Sequence, residues 1–201
     1  MFDEKLRKIK DDILTAFTGG MASGINPEHI TYCAFIAGTA SAAAVIYGYL
    51  LPGLFLWILN RILDGLDGAL ARRYKKQTDK GAYLDIMADF AVYAMIPISF
   101  ALKTNLKEIW IAAVFLLGSF YINTASWLYL SAILEKRRKE ADNGILTSVV
   151  MPKGLVEGFE TIIFYSLFFI FPSYLILLFS IMSVMTMIST MQRVYFSLKY
   201  L

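Results

Sequence analysis

The chain is short of the groups on which most enzymes and secreted proteins rely. Its 201 residues include one cysteine, Cys33, and one histidine, His29. A lone cysteine excludes an internal disulfide, and its place in an apolar run predicts a buried packing thiol rather than a nucleophile. A lone histidine at a helix start reads as a surface residue rather than a ligand. Charge is scarce as well, since Asp, Glu, Lys and Arg make up 17% of residues and the formal net charge is +3. No nucleic-acid partner is expected. Residues 1–12 are charged and lack an apolar core, so no cleavable signal peptide is expected either.

What remains is hydrophobic. Apolar residues reach 58%, aromatics 15% and mean hydropathy +0.58, which predicts an all-α polytopic membrane protein rather than a soluble domain. A single domain over 1–201 is expected, with an interfacial helix in 1–20 and a six-helix bundle over 27–201. In the first segment Phe2, Leu6, Ile9, Ile13 and Phe17 recur at helical spacing among Lys5, Arg7, Lys8 and Lys10, the pattern of an amphipathic helix lying on an anionic bilayer.

Asn26 as N-cap and Pro27 at the first helical position open the first transmembrane segment, predicted over 30–50. Leu51-Pro52-Gly53 reads as a tight turn. Further spans are predicted over 54–76, 82–102, 109–134, from after Pro152 to Phe171, and over 174–198. Short loops are expected at 103–108 and at Pro172-Ser173, and a charged loop at 135–143. Each span has about the 20 residues needed to cross the hydrocarbon. Arg72, Arg73, Lys75, Lys76 and Lys80 share a side with Lys136, Arg137, Arg138 and Lys139, whereas the other side offers Lys103 and Lys107. That asymmetry puts both termini and the 2–3 loop in the cytoplasm of a cell or inner membrane.

Four carboxylates break this apolar background. Asp64 and Asp67 lie at i, i+3 and Asp85 and Asp89 at i, i+4, so each pair lies on one face of its helix. Counting about 1.5 Å per residue from the outer turns puts Asp67 and Asp89 at one level, roughly 21 Å deep, with the other two within about a turn. Ionisable groups at such depth line a cavity and mark function. Arg72 alone cannot neutralise four carboxylates. Divalent cations can, and hard oxygen ligands suit Mg²⁺, Mn²⁺ or Ca²⁺. Such a cluster, open to the cytoplasm, suits a pyrophosphate substrate. Gly65 and Gly68 permit close approach to the helix, and Arg72 can donate to a phosphate.

Written out, Asp64, Asp67, Gly68, Ala71, Arg72, Gly81, Asp85 and Asp89 give D-x2-D-G-x2-A-R-x8-G-x3-D-x3-D. This resembles the signature of the CDP-alcohol phosphatidyltransferase family at every position. The resemblance implies a membrane enzyme of phospholipid synthesis that moves a phosphatidyl group from a CDP-lipid donor, such as CDP-diacylglycerol, to an alcohol and releases CMP. It implies Mg²⁺ or Mn²⁺ held by Asp64, Asp67 and Asp85, with Asp89 as general base and a contact to a second metal. It assigns Gly68, Ala71, Arg72 and Gly81 to the nucleotide pocket, together with Thr31 of a Pro27-x-x-x-Thr31 pattern in which Glu28 replaces the family's Asn. A homodimer is implied as well.

Glu157 and Glu160, at i, i+3 in the fifth span, read either as an acceptor-binding wall or as a partnered structural pair facing Arg137 or Arg138. As a wall they favour an unphosphorylated acceptor, an amine or polyol. Ser119, Asn123 and Ser126 read as helix–helix glue, and Met182, Met185, Met187 and Met191 as packing. Two other functions stand beside it: transfer of a CDP-alcohol onto diacylglycerol, which the same motif serves equally, and a divalent-metal transporter, which fits less well. The transporter would spread its carboxylates through the whole depth, whereas these cluster toward one side.

Overall fold

The structure is a computed structural model, and residues 26–142 and 154–201 are described. The amphipathic helix expected in 1–20 lies outside them. The described residues form six α-helices, which we label α1 (Pro27–Ile46), α2 (Leu50–Arg73), α3 (Asp79–Thr104), α4 (Lys107–Asp142), α5 (Gly158–Ile170) and α6 (Leu175–Tyr200), with a 3₁₀ turn at Pro172–Tyr174. They fall into two compact units that divide between Asn105 and Leu106.

The caps follow the sequence in part. Asn26 Oδ1 accepts from Glu28 N at 3.1 Å and Pro27 occupies the first turn of α1, as expected. The turn between α1 and α2 falls earlier than 51–53. Gly48 carries it at a φ of 85°, a left-handed conformation that costs glycine nothing. Pro52 and Gly53 then sit inside the first turn of α2, where the missing N–H of proline had no helical partner to lose. Thr78 caps α3 by accepting from Gly81 N at 2.9 Å, and Asn105 ends that helix with a φ of 51°.

Two boundaries differ more. The charged stretch after 134 is no loop, because α4 continues to Asp142. Glu, Lys, Arg and Ala are strong helix formers, and no Gly or Pro interrupts them there. In turn α5 has 13 residues, about 20 Å of rise, too short to cross the hydrocarbon alone. Pro27–Ile46, Asp79–Thr104, Lys107–Arg137 and Pro172–Tyr200 are long and apolar enough to cross a membrane. This is an integral membrane protein. Side chains such as Phe55, Phe115 and Leu198, each more than 60% exposed, then face lipid rather than water. Cys33 is among the exposed residues, which corrects the buried thiol expected from its apolar neighbours. The buried face of α1 instead includes the small residues Ala34, Ala37, Gly38, Ser41 and Ala42.

That stripe of small residues sets the packing of the first unit. Side chains in a bilayer gain little by leaving lipid, so close backbone contact and interhelical hydrogen bonds hold helices together. Ser41 Oγ donates to Gly53 O at 2.7 Å, Asn60 Nδ2 to Ala34 O at 2.8 Å, and Thr31 Oγ1 to Asp67 Oδ2 at 2.5 Å. The three contacts step along α1 and α2 in opposite directions and fix an antiparallel register. A Cβ at Gly38 would lie 2.5 Å from a Val92 methyl, so α3 crosses there with no room to spare. Trp57, Val92, Ile96 and Phe100 close the core of this unit.

In the second unit Leu116, Tyr165, Phe168, Phe179 and Met182 are fully buried. Asn123 Oδ1 accepts from Thr190 Oγ1 and from Arg193 Nη1, so the polar stripe of α4 does bridge to α6 through this residue. Ser119 turns back onto its own helix, bonding Leu116 O at 2.7 Å.

Candidate active site

All four motif aspartates lie on the facing sides of α2 and α3, within the first unit. At the Arg72 end a cleft opens, lined by Glu28 and Thr31 of α1, Asp67, Gly68, Ala71 and Arg72 of α2, and Gly81 and Asp85 of α3. Every residue assigned by sequence to the nucleotide pocket therefore lines one cleft, together with two of the assigned metal ligands.

The walls are fixed locally. Thr31 Oγ1 lies 2.5 Å from Asp67 Oδ2 and 3.3 Å from Pro27 O, so its one proton goes to the carboxylate and holds Asp67 against α1. Both residues are buried. A Cβ at Gly68 would lie 3.2 Å from the Arg72 guanidinium, and one at Gly81 would lie 3.0 Å from the capping hydroxyl of Thr78. Glycine at these positions leaves Arg72 its place and leaves the start of α3 intact. Glu28, the substitute for the family's Asn, pairs with Lys80 at 2.9 Å across the cleft's edge.

Deeper in, the arrangement differs from the expectation in one respect. The cation among the carboxylates is Arg61, a turn before Asp64, and not Arg72 alone. Its Nη2 donates to Asp89 Oδ1, its Nη1 to Tyr93 OH and its Nε to Asn60 Oδ1, each at 2.7 Å; Asp64 Oδ2 is 3.7 Å from Nη1. The guanidinium also stacks over the rings of Trp57 and Tyr93, 4.9 and 5.0 Å from their centroids. Spacing could have found it. Arg61 and Asp64 are at i, i+3, and a buried arginine one turn from a carboxylate on the same helix faces it.

The carboxylates sit close enough to act on one another: Asp64 faces Asp85 and Asp89, and Asp67 feels both Asp64 and Asp89. Crowded carboxylates of this kind require cations. The donor set is all oxygen and so fits a hard divalent ion. As positioned among the described residues, no three of them form a ready coordination group, so their side chains must converge to bind one.

Glu157 and Glu160 have other partners. Glu160 Oε2 accepts from Glu157 N at 3.0 Å and the Glu157 side chain accepts from the Glu160 backbone N–H, closing the start of α5 in a reciprocal cap, while Glu157 Oε1 also accepts from Gly154 N at 3.1 Å. Arg137 does not face them, since it reaches the carbonyls of Tyr200 and Leu201.

Comparisons with known proteins agree on the kind of protein this is. A model described as CDP-alcohol phosphatidyltransferase matches residues 25–195. The Escherichia coli K12 inner membrane protein YnjF is 35% identical over 172 residues, covering 86% of this chain and 82% of that protein. The bifunctional IPC transferase and DIPP synthase of Archaeoglobus fulgidus is 32% identical over 124 residues, 61% of this chain but a quarter (25%) of that longer protein. Among solved structures, Mycobacterium tuberculosis phosphatidylinositol phosphate synthase with CDP-DAG bound shares the fold. It has a TM-score of 0.67 and 21% identity, over 94% of this chain and 92% of that one.

Proposed function

Because the chain belongs to the CDP-alcohol phosphatidyltransferase family, we propose that it transfers a phosphatidyl group from CDP-diacylglycerol, or a related CDP-lipid, to an alcohol with release of CMP. The observation that carries this reading is the cleft in which Thr31, Gly68, Ala71, Arg72 and Gly81 meet Asp67 and Asp85. The Mycobacterium tuberculosis synthase of the same fold, described with CDP-DAG bound and in a second structure with manganese and citrate, supports a CDP-lipid donor and a divalent ion.

Each residue has a job in that reaction. Arg72 donates to a phosphate oxygen, and Gly68 lets the pyrophosphate approach the helix. Asp64, Asp67, Asp85 and Asp89 supply the oxygens for Mg²⁺ or Mn²⁺, which when bound neutralises charge on the phosphates. Asp89 takes the proton of the acceptor hydroxyl. The acceptor oxygen then bonds to the lipid-bearing phosphorus, the bond from that phosphorus to the bridging oxygen breaks, and CMP leaves with the electron pair. The lipid tails stay in the bilayer throughout.

We also infer that the whole chain acts as one catalytic domain of six membrane segments, with α2 and α5 completing the four apolar spans. Arg72 and Lys76 line the cleft and Lys80 pairs with Glu28 of its wall, and with Arg73 and Lys75 beside them in sequence this supports a cytoplasmic opening. The test is CMP release from CDP-diacylglycerol by purified protein across a panel of alcohols. Release that depends on one alcohol, stops in EDTA and returns with Mg²⁺ or Mn²⁺ is expected. No release with any alcohol, or undiminished release in excess chelator, would overturn the reading.

A further inference from the structure

One acid of the cleft wall comes with its own cation. Among the described residues, the acids lining the cleft are Glu28, Asp67 and Asp85, and the bases are Arg72 and Lys76. The proposed reaction gives Asp67 and Asp85 to the metal and Arg72 to a phosphate. Glu28 is then a negative charge on the wall of a site for an anion. Its backbone is held at the start of α1, where Asn26 Oδ1 accepts from Glu28 N at 3.1 Å. Its side chain is 20% exposed and runs past Gly81, where an added Cβ would lie 4.0 Å from Glu28 Cγ. Lys80 Nζ reaches over from α3, off the cleft lining, and donates to Glu28 Oε2 at 2.9 Å.

Stability does not account for where Lys80 stands. Its side chain is 69% exposed, and an ion pair so open to solvent contributes little. Lys80 is also the second residue of α3, and a cation in the first turn of a helix opposes the helix dipole. What the pair does alter is the charge of the cleft wall. We propose that Lys80 is the counter-charge of Glu28, cancelling that carboxylate so that the cleft admits the anionic pyrophosphate of a CDP donor. The inference rests on the CDP-donor reading above and deepens it. Lys80 acts through Glu28, away from the reacting atoms, and the two form one unit. Without Lys80 the bare carboxylate faces the phosphates of the donor, and like charges at such a rim weaken binding roughly 5- to 30-fold. Removing both charges together restores the balance.

The experiment measures CDP affinity by calorimetry, on full-length protein in phosphatidylcholine nanodiscs with saturating Mg²⁺. Lys80→Met is expected to raise the CDP Kd about 5- to 30-fold with Tm nearly unchanged. Its KM for CDP-diacylglycerol should rise in step while kcat holds. Lys80→Arg keeps the charge and should stay within about twofold of wild type. Glu28→Gln is expected to bind CDP at least as tightly as wild type, and adding it to Lys80→Met should bring the Kd back to within about threefold. The Lys80→Met deficit should also shrink in about 1 M salt, where charges are screened within about 3 Å; a merely structural tie would not respond so. Lys80→Gln serves in its place if Lys80→Met does not fold. Wild-type CDP affinity in Lys80→Met, a Glu28→Gln variant as weak as Lys80→Met, or a double variant no better than Lys80→Met would each overturn the inference and leave the CDP-donor reading intact. No CDP bound by wild type would overturn both together.

Discussion

Replacing Thr31 by Val isolates one hydrogen bond at the centre of the cleft. The substitution keeps the branched shape at a buried position and removes only the hydroxyl that donates to Asp67 at 2.5 Å. Asp67 is 4% exposed, so water is poorly placed to replace the lost donor. A hydrogen bond to a charged group contributes about 1.5–3 kcal/mol, roughly 10- to 150-fold in an equilibrium constant. Partners that orient a metal ligand, assessed independently, alter metal affinity by about 10- to 100-fold when removed. Both routes lead to the same expectation, namely that Thr31→Val raises the half-saturating Mn²⁺ concentration by one to two orders of magnitude. Mn²⁺ activation of CMP release and direct Mn²⁺ titration both measure it. Thr31→Ser retains the hydroxyl and should stay within a few-fold of wild type. The reasoning is refuted if Thr31→Val binds Mn²⁺ as wild type does, or if the Ser variant is impaired as badly as the Val variant.

Three further outcomes are expected. Asp89→Asn should retain CDP-donor binding while transfer falls by about 10²–10⁴-fold, the usual contribution of a general base; Asp64→Asn and Asp67→Asn should weaken donor and metal binding, and a donor Kd raised equally in all three would make Asp89 one more ligand. Gly38→Ala forces a Cβ to 2.5 Å from Val92, an overpacking that costs about 1–3 kcal/mol and lowers Tm in nanodiscs by several degrees. Adding Val92→Ala should restore part of that loss, and strict additivity of the two would argue against the contact. Glu157→Ala and Glu160→Ala should each cost about 0.5–2 kcal/mol as lost helix caps, with acceptor KM unchanged; a raised acceptor KM at constant donor KM would instead place them at the acceptor.

The motif was legible because its chemistry depends on spacing within single helices, and helical spacing survives folding. Asp64 and Asp67 had to share a face, and so did Asp85 and Asp89. The depth count from Gly53 and Lys103 brought the two pairs to one level even though the turn between α1 and α2 in fact falls at Gly48. An error of a few residues in a boundary shifts a helix end but not the relative position of residues one turn apart. The α4 and α5 boundaries were less legible for a different reason. Charged residues at 135–142 are read as a loop by hydropathy and as helix by backbone propensity, and propensity wins where no glycine or proline intervenes. At α5 the start is set by a reciprocal cap between Glu157 and Glu160, and two side-chain-to-backbone hydrogen bonds leave no trace in an apolar average.

The harder case is α2, where the features that make a site also hide a span. Averaged over the helix, Asn60, Arg61, Asp64, Asp67, Arg72 and Arg73 dilute Ile58, Leu59 and Ile62, so this helix is absent from the four that are apolar enough to cross on composition alone. Composition counts every side chain as if lipid surrounded it. In the structure Asn60, Arg61, Gly65 and Asp67 are buried, while Ile58, Leu59 and Ile62 are exposed. The polar face is thus spent against α1 and α3, through Ala34 O, Thr31 Oγ1, Tyr93 OH and Asp89. Ionisable residues that face protein and pair with one another are the form in which charge is tolerated at membrane depth. The same pairing explains why Arg61 escaped a reading focused on carboxylates. Treating four aspartates as an unbalanced set left the cation to be supplied from outside, whereas one positive charge was already built into the helix one turn away.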